Sequence, residues 1–225
     1  VGQRQQQLQK LDELVKARFV EMFGDPEYNN KAWEIVKLDE ICKVGSSKRI
    51  YQNELSDSGV PFFRVSDLNN RIDGKIDDTK IFITTKKYNE LKQQGLVPST
   101  GDILVTSRGT LGKCYIVKEK DLFYFQDGMI SWLSEINGKI TSLYLTLLFS
   151  MNGVQKQILN LQAGSTIAYL SIAMLKKLDI MLPPIELQNQ FNDFVLQVNK
   201  SKVAVQKALD EAQLLFDSLM QQYFG

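Results

Sequence analysis

The stretch from Pro184 to Phe224 constrains the chain most. Read in sevens, Phe191, Val198, Val205, Ala212 and Leu219 share one position. Leu187, Phe194, Ala208 and Leu215 share the position three further on, with Ser201 as its polar member. Apolar residues sustained at these two heptad positions mark a helix seeking a long helical partner. Val195, Leu209, Phe216 and Tyr223 occupy the next position and make the stripe broader than a strict coiled-coil seam. No Pro or Gly interrupts Ile185 to Tyr223. At 1.5 Å per residue the helix should run to roughly 55–60 Å. Core helices usually stop near three turns, so this one is expected to project as a pairing arm.

A second helix is expected over Gln3–Phe23, with Leu8, Leu11, Val15 and Met22 in heptad register. Its ending resembles that of the first. A shift of 201 places Gln5, Leu8, Leu14, Phe23 and Gly24 on Gln206, Leu209, Leu215, Phe224 and Gly225. The shared Phe-Gly stop is the telling part, because Gly commonly ends helices. The reading is an internal repeat of a domain followed by a long helix. One whole unit follows the tail of another, and the start at Val1 fits a fragment of a longer chain.

Between the arms about 160 residues remain, enough for one domain with its own core. No run of eighteen apolar residues suggests a membrane span. Cys42 and Cys114 in apolar surroundings suggest a reducing, cytoplasmic setting rather than a disulfide scaffold. The absence of histidine removes His-dependent triads and His-ligated zinc. Net charge is +1 but uneven. Residues 31–120 carry 16 Lys/Arg against 12 Asp/Glu, a mild signal for a polyanion partner.

Local signals give a mixed α and β domain. Strands are expected at Trp33–Leu38, Pro61–Val65, Ile81–Ile83, Ile103–Thr106, Cys114–Val117, around Tyr124–Gln126, Ile130–Leu133 and Leu178–Leu182. Helices are expected at Asp39–Cys42, Thr85–Lys92, Leu143–Leu161 with a break at Asn152-Gly153, and after a Ser171 cap. Val44–Arg49 reads as a loop of small residues, and Asn69-Asn70 and Asp73-Gly74 read as turns. The fold class is α+β: one mixed domain, residues 25–182, flanked by helical arms at 1–24 and 183–225.

Four stretches carry a family likeness. They are Trp33-Glu34 through the Gly45-Ser46-Ser47 loop; Gly101-Asp102-Ile103-Leu104 with Arg108-Gly109 and Gly112; Gly164-Ser165-Thr166-Ile167 with Leu170-Ser171; and Leu182-Pro183-Pro184-Ile185-Glu186-Leu187-Gln188. Their order and spacing between two helices resemble the DNA-specificity subunit of type I restriction–modification systems. Leu187 departs from the acid that many members carry there. The resemblance implies a target-recognition domain that reads one half of a bipartite double-stranded DNA site. It also implies methyltransferase and restriction subunits as partners. S-adenosylmethionine would belong to the methyltransferase, and no cofactor to this chain.

The residues support binding over catalysis. An adenine methyltransferase needs an Asn or Asp before Pro-Pro and an aromatic after it; here Leu182 precedes and Ile185 follows. Glu90-Leu91-Lys92 with Asp77 and Asp78 offers a metal-dependent nuclease alternative, but divalent-metal sites need converging carboxylates. A helical adaptor binding only protein is the other alternative. Candidate DNA contacts are Ser46, Ser47, Lys48, Arg49 and Arg108, then Arg64, Lys113, Gln126 and Tyr169. Small residues beside cations allow close approach to phosphate, and an Arg in a tight loop can fork onto guanine. Helix pairing is assigned to Leu8, Leu11, Val15, Phe191, Val198, Val205, Leu215 and Leu219, with a homodimer or a methyltransferase subunit covering what the short arm leaves bare.

Overall fold

The computed structural model describes residues 2–75, 78–162 and 168–224, the side chains of 2–5, 215, 217, 223 and 224 excepted. The Gly164-Ser165-Thr166-Ile167 stretch, Asp77 and the Leu215 side chain therefore lie outside the described residues. The chain opens with helix α1 (Gly2–Phe23), then β1 (Glu34–Lys37), the single turn α2 (Leu38–Ile41) and β2 (Lys43–Ser46). β3 (Leu55–Ser56), β4 (Val60–Phe63), α3 (Val65–Ile72), β5 (Phe82–Ile83) and α4 (Thr85–Gln93) follow. Next come β6 (Ile103–Thr106), β7 (Cys114–Ile116), β8 (Tyr124–Phe125) and β9 (Ile130–Ser134). α5 (Ser142–Phe149), α6 (Asn152–Leu161), α7 (Ile172–Lys176), β10 (Asp179–Leu182) and α8 (Ile185–Phe224) complete it.

The strands form a four-stranded sheet in the order β2-β9-β6-β7, another in the order β3-β5-β4-β8, and a two-stranded ribbon of β1 and β10. Pairing is antiparallel except for β4 with β8. The main core is continuous from the first sheet into both arms. Ile103, Val105 and Leu133 share it with Tyr144, Leu148, Phe19, Phe23 and Phe191.

α8 runs 40 residues without interruption, as its heptads predict. It packs antiparallel to α1 of the same chain: Phe23 meets Phe191 with ring centroids 5.2 Å apart, while Asp12 pairs with Lys202. Phe191, Val195 and Val198 are buried with Val15, Phe19 and Phe23. Leu8, Leu11 and Val205 are half-buried. Beyond the reach of α1 the stripe is open, with Phe216 55% and Leu219 44% exposed. The start of α8 is pinned by buried Gln188. Its carboxamide accepts from Thr141 N at 2.9 Å and donates to Pro183 O at 2.8 Å and Lys139 O at 3.0 Å. A buried amide bonded at both ends holds direction better than apolar contact, because misalignment leaves polar atoms unpaired.

Three local expectations are corrected. Lys43–Ser46 is a strand, not a loop. Val44 is buried and the backbone pairs with β9, so the ladder overrides the small-residue signal. The strand expected at Pro61–Val65 ends at Phe63. Asp67 accepts from Arg64 N at 2.8 Å, and α3 continues through Asn69-Asn70 because Leu68 is buried beneath it. The break between α5 and α6 falls at Ser150-Met151. Gly153 lies inside α6, where a Cβ would stand 2.6 Å from Glu27 N and 2.7 Å from Pro26 C. Only glycine lets that backbone approach.

Candidate nucleic-acid interface

The register of the first sheet brings the candidate loops together. β2 ends at Ser46 opposite Ser131, β6 ends at Thr106 opposite Ile130, and Val105 stands opposite Cys114 at the start of β7. The segments 47–49, 107–113 and 126–129 therefore leave the sheet from one edge. The second sheet adds to the same rim. Phe63 and Phe125 pair in parallel, so Arg64 and Gln126 emerge side by side, with Gln126 N donating to Phe63 O at 2.9 Å. Tyr169 forms an isolated bridge with Arg108, and Leu170 N donates to Ser107 O at 2.9 Å. Candidates drawn from a stretch of 124 residues, Ser46 to Tyr169, thus line one rim.

The rim is braced from inside. The Ser46 hydroxyl donates to Ile130 O at 3.3 Å and accepts from Gly128 N at 3.1 Å. The Ser47 hydroxyl is buried and donates to Phe125 O at 2.7 Å, which makes it a strut of the loop. Tyr124 is fully buried. Its hydroxyl accepts from Lys48 N at 2.9 Å and donates to Lys48 O at 3.2 Å, and burial pushes its pKa up to about 12. It therefore stays protonated and clamps the Lys48 backbone while the Lys48 side chain is exposed. Below Arg108, the hydroxyls of Ser107 and Ser131 bond each other at 2.7 Å in the core. Gly109, at φ +75, takes the left-handed turn that lifts Arg108 from the sheet.

The five cations differ in availability. Arg49 Nε donates to Asp127 at 2.9 Å, and Lys113 Nζ to Asp73 at 3.0 Å. Such solvent-screened pairs are weak and exchange readily for a phosphate. Arg108 is exposed, and among the described residues its side-chain contact is Met129 Sδ at 3.8 Å, with no acid beside it. Arg64 is exposed at the start of α3. Tyr169 keeps 40% of its surface and is not a core aromatic.

Two features had no sequence signal. The Asp127–Met129 turn neutralises Arg49 and flanks Arg108. A cleft of about 850 Å³ lies against the outer face of β2 and β9, lined by Lys43, Tyr88, Lys92, Asp102, Trp132 and Glu135. Asp102 accepts from Trp132 Nε1 and Ser99 N, each at 2.8 Å. Burial raises its pKa above the ordinary carboxylate value, against both hydrogen bonds. The mixed charges of this cleft give no continuous path for a polyanion. Glu90 sits exposed on α4, and among the described residues no three metal-ligating side chains gather. No helix is long and apolar enough to cross a membrane among the described residues.

A sequence model described as the type I restriction modification DNA specificity domain matches residues 30–212. A Haemophilus influenzae protein named as a type I restriction enzyme specificity subunit is 26% identical over 189 residues, 82% of this chain and 46% of that one. The type I restriction enzyme MjaVIII specificity subunit of Methanocaldococcus jannaschii is 25% identical over 235 residues, covering 92% of this chain and 53% of that one. The chain spans about half the length of these relatives. The fold is similar to the crystal structure of the HsdS subunit from Thermoanaerobacter tengcongensis, with TM-score 0.59 and 18% identity, over 91% of this chain and 47% of that one. A chain from a structure on complex assembly and conformational transition of the type I R-M system gives TM-score 0.64 at 17% identity, over 97% of this chain and 52% of that one.

Proposed function

We propose a DNA-reading role from one premise: the chain belongs to the type I restriction modification DNA specificity domain family. It acts as a non-catalytic specificity component. Residues 25–182 read one half of a bipartite site in double-stranded DNA, and the helices at 1–24 and 183–225 space and assemble the complex. The observation that carries this reading is the single rim on which Lys48, Arg49, Arg64, Arg108 and Lys113 converge. Ser46, Gln126 and Tyr169 supply polar and stacking groups on that rim, and Ser47 holds the loop from within. Phosphate contacts of this kind fix a protein on the duplex, and a free arginine reads guanine.

Affinity for duplex DNA should fall steeply with salt, by close to one unit of log–log slope per phosphate neutralised. Arg108→Ala should weaken binding to a selected duplex by roughly 1–3 kcal/mol. Titration of both proteins at several salt concentrations checks this. Salt-independent or absent binding would remove the reading and favour a protein-only adaptor. Unchanged affinity in Arg108→Ala would remove that residue alone.

The uncovered end of α8 supports a helix partner, either a second copy or a methyltransferase subunit of the restriction–modification complex. Exposed Phe216, Leu219 and Met220 share one face of α8 and leave it an open apolar patch. Phe216→Glu should abolish the association, seen in sedimentation at micromolar concentration with and without that subunit. A wild-type chain that stays single in both mixtures would contradict it. Both cysteines are free thiols, which fits work in the reducing cytoplasm; recovery of the native protein in a secreted fraction would refute that placement.

A further inference from the structure

We propose that α3 is a second reading element and that Ser66 and Asn70 determine bases beyond those set by the loop cations. This rests on the DNA-reading role above. α3 springs from the rim itself, directly after Arg64, which stands beside Gln126. An α-helix with its side chains is about 10–12 Å across, which fits the B-DNA major groove, roughly 12 Å wide, and the two turns of α3 suffice to present a short row of side chains to it.

The two sides of α3 differ in chemistry. Leu68 is fully buried, and Val65 and Ile72 pack with it against the cluster that includes Phe63, Phe123 and Phe125. Arg71 also turns inward. Its guanidinium donates to Tyr115 Oη at 3.0 Å and to the Asp121 carboxylate, and it lies 5.6 Å from the Phe63 ring centroid and 5.9 Å from that of Phe123. At the far end of the helix Asp73 bonds Lys113 of the β6–β7 loop. The apolar seat and the Arg71–Asp121 ion pair together fix rotation about the helix axis.

Fixed rotation decides what faces outward. Ser66 and Asn70 are four residues apart and so share a face. Ser66 is exposed and Asn70 half-exposed, and among the described residues neither side chain has a hydrogen-bond partner. A hydroxyl reads several base edges, and an asparagine amide matches the adenine edge in bidentate fashion. Side chains held on a rigid helix with their hydrogen-bonding groups unspent differ from Ser47, whose hydroxyl the fold consumes.

The test is selection from a randomised duplex library by the full chain, the Ser66→Ala and Asn70→Ala variants, and Arg108→Ala. Affinity is then measured for the wild-type-selected duplex and an unrelated duplex. Both α3 substitutions are on the surface and should leave the melting temperature unchanged. Asn70→Ala should lose preference at a base position that Arg108→Ala retains, and bind the selected duplex roughly 5- to 150-fold more weakly. Its affinity for the unrelated duplex should not change. Wild-type base preferences in both α3 variants, with Arg108→Ala impaired, would overturn this proposal and leave the DNA-reading role standing. An equal loss on both duplexes would also overturn it, because it would mark phosphate contacts. A wild-type chain without salt-dependent binding would overturn the proposal and the reading beneath it together.

Discussion

Phe191→Ala should lower the free energy of unfolding by about 3–5 kcal/mol, the range for emptying a large aromatic from a closed core. Phe191 is fully buried. Its ring meets Phe23 edge-on at 5.2 Å, Phe19 edge-on at 5.6 Å and Phe194 at 6.4 Å. Tyr144 closes the group from α5, 4.8 Å from Phe23 and 5.4 Å from Phe19, and is held by its hydroxyl donating to Met181 O at 2.9 Å. Truncation would therefore leave a void bounded by both arms and the domain, with no single element free to collapse into it. Leu214→Ala, on the same helix but 71% exposed, should stay within about 0.5 kcal/mol of wild type. Urea unfolding of the two variants checks the contrast. A loss below about 1 kcal/mol for Phe191→Ala would mean that α1 and α8 are not joined through this cluster.

The same helix shows which parts of the fold were legible. Heptad spacing is a local signal, so α8 and α1 could be read from Phe191, Val198 and Leu11 without knowing their neighbours. The β6–β7 hairpin was legible for a similar reason, since Gly109 and Gly112 punctuate two short apolar runs. β2 was not, because Gly45-Ser46 carries no strand pattern and becomes a strand only through pairing with Trp132 and Ser131. α3 was hidden by Asn69 and Asn70, residues that usually make turns, while the turn expected at Asp73-Gly74 does close the helix. What overrides the asparagines is the burial of Leu68 and the cap from Asp67. The candidate cations were visible as types, but their meeting on one rim depends on the β2-β9-β6-β7 order, which no local pattern encodes. Nor could spacing show that Ser47 is turned inward, or that Arg49 and Lys113 carry acidic partners supplied by Asp127 and Asp73.

Asp121→Ala should destabilise by roughly 3 kcal/mol at neutral pH, the low end for breaking a buried ion pair. The Asp121 side chain is 4% exposed and that of Arg71 30%. The carboxylate accepts from Lys118 N at 2.7 Å and Tyr115 Oη at 2.8 Å as well as from Arg71. Burial alone would raise its pKa, but those hydrogen bonds and the guanidinium charge outweigh burial and hold it below the ordinary value. A carboxyl whose folded pKa is depressed stabilises fully above its unfolded value, near 3.9, and loses that contribution as pH falls through the folded one. The gap in stability between wild type and Asp121→Ala should therefore be widest at neutral pH and narrow below about pH 4. Urea melts of both proteins at pH 7 and pH 3 measure it. A gap of equal size at both values would assign the loss to packing instead of the ionised carboxylate. Because Arg71 seats α3, the proposed reading by Asn70 predicts that the variant also blurs base preference at that one position while the salt slope is kept. Loss of preference at every position would point to a general loosening of the rim, and Asp121 would then serve the whole fold instead of one helix.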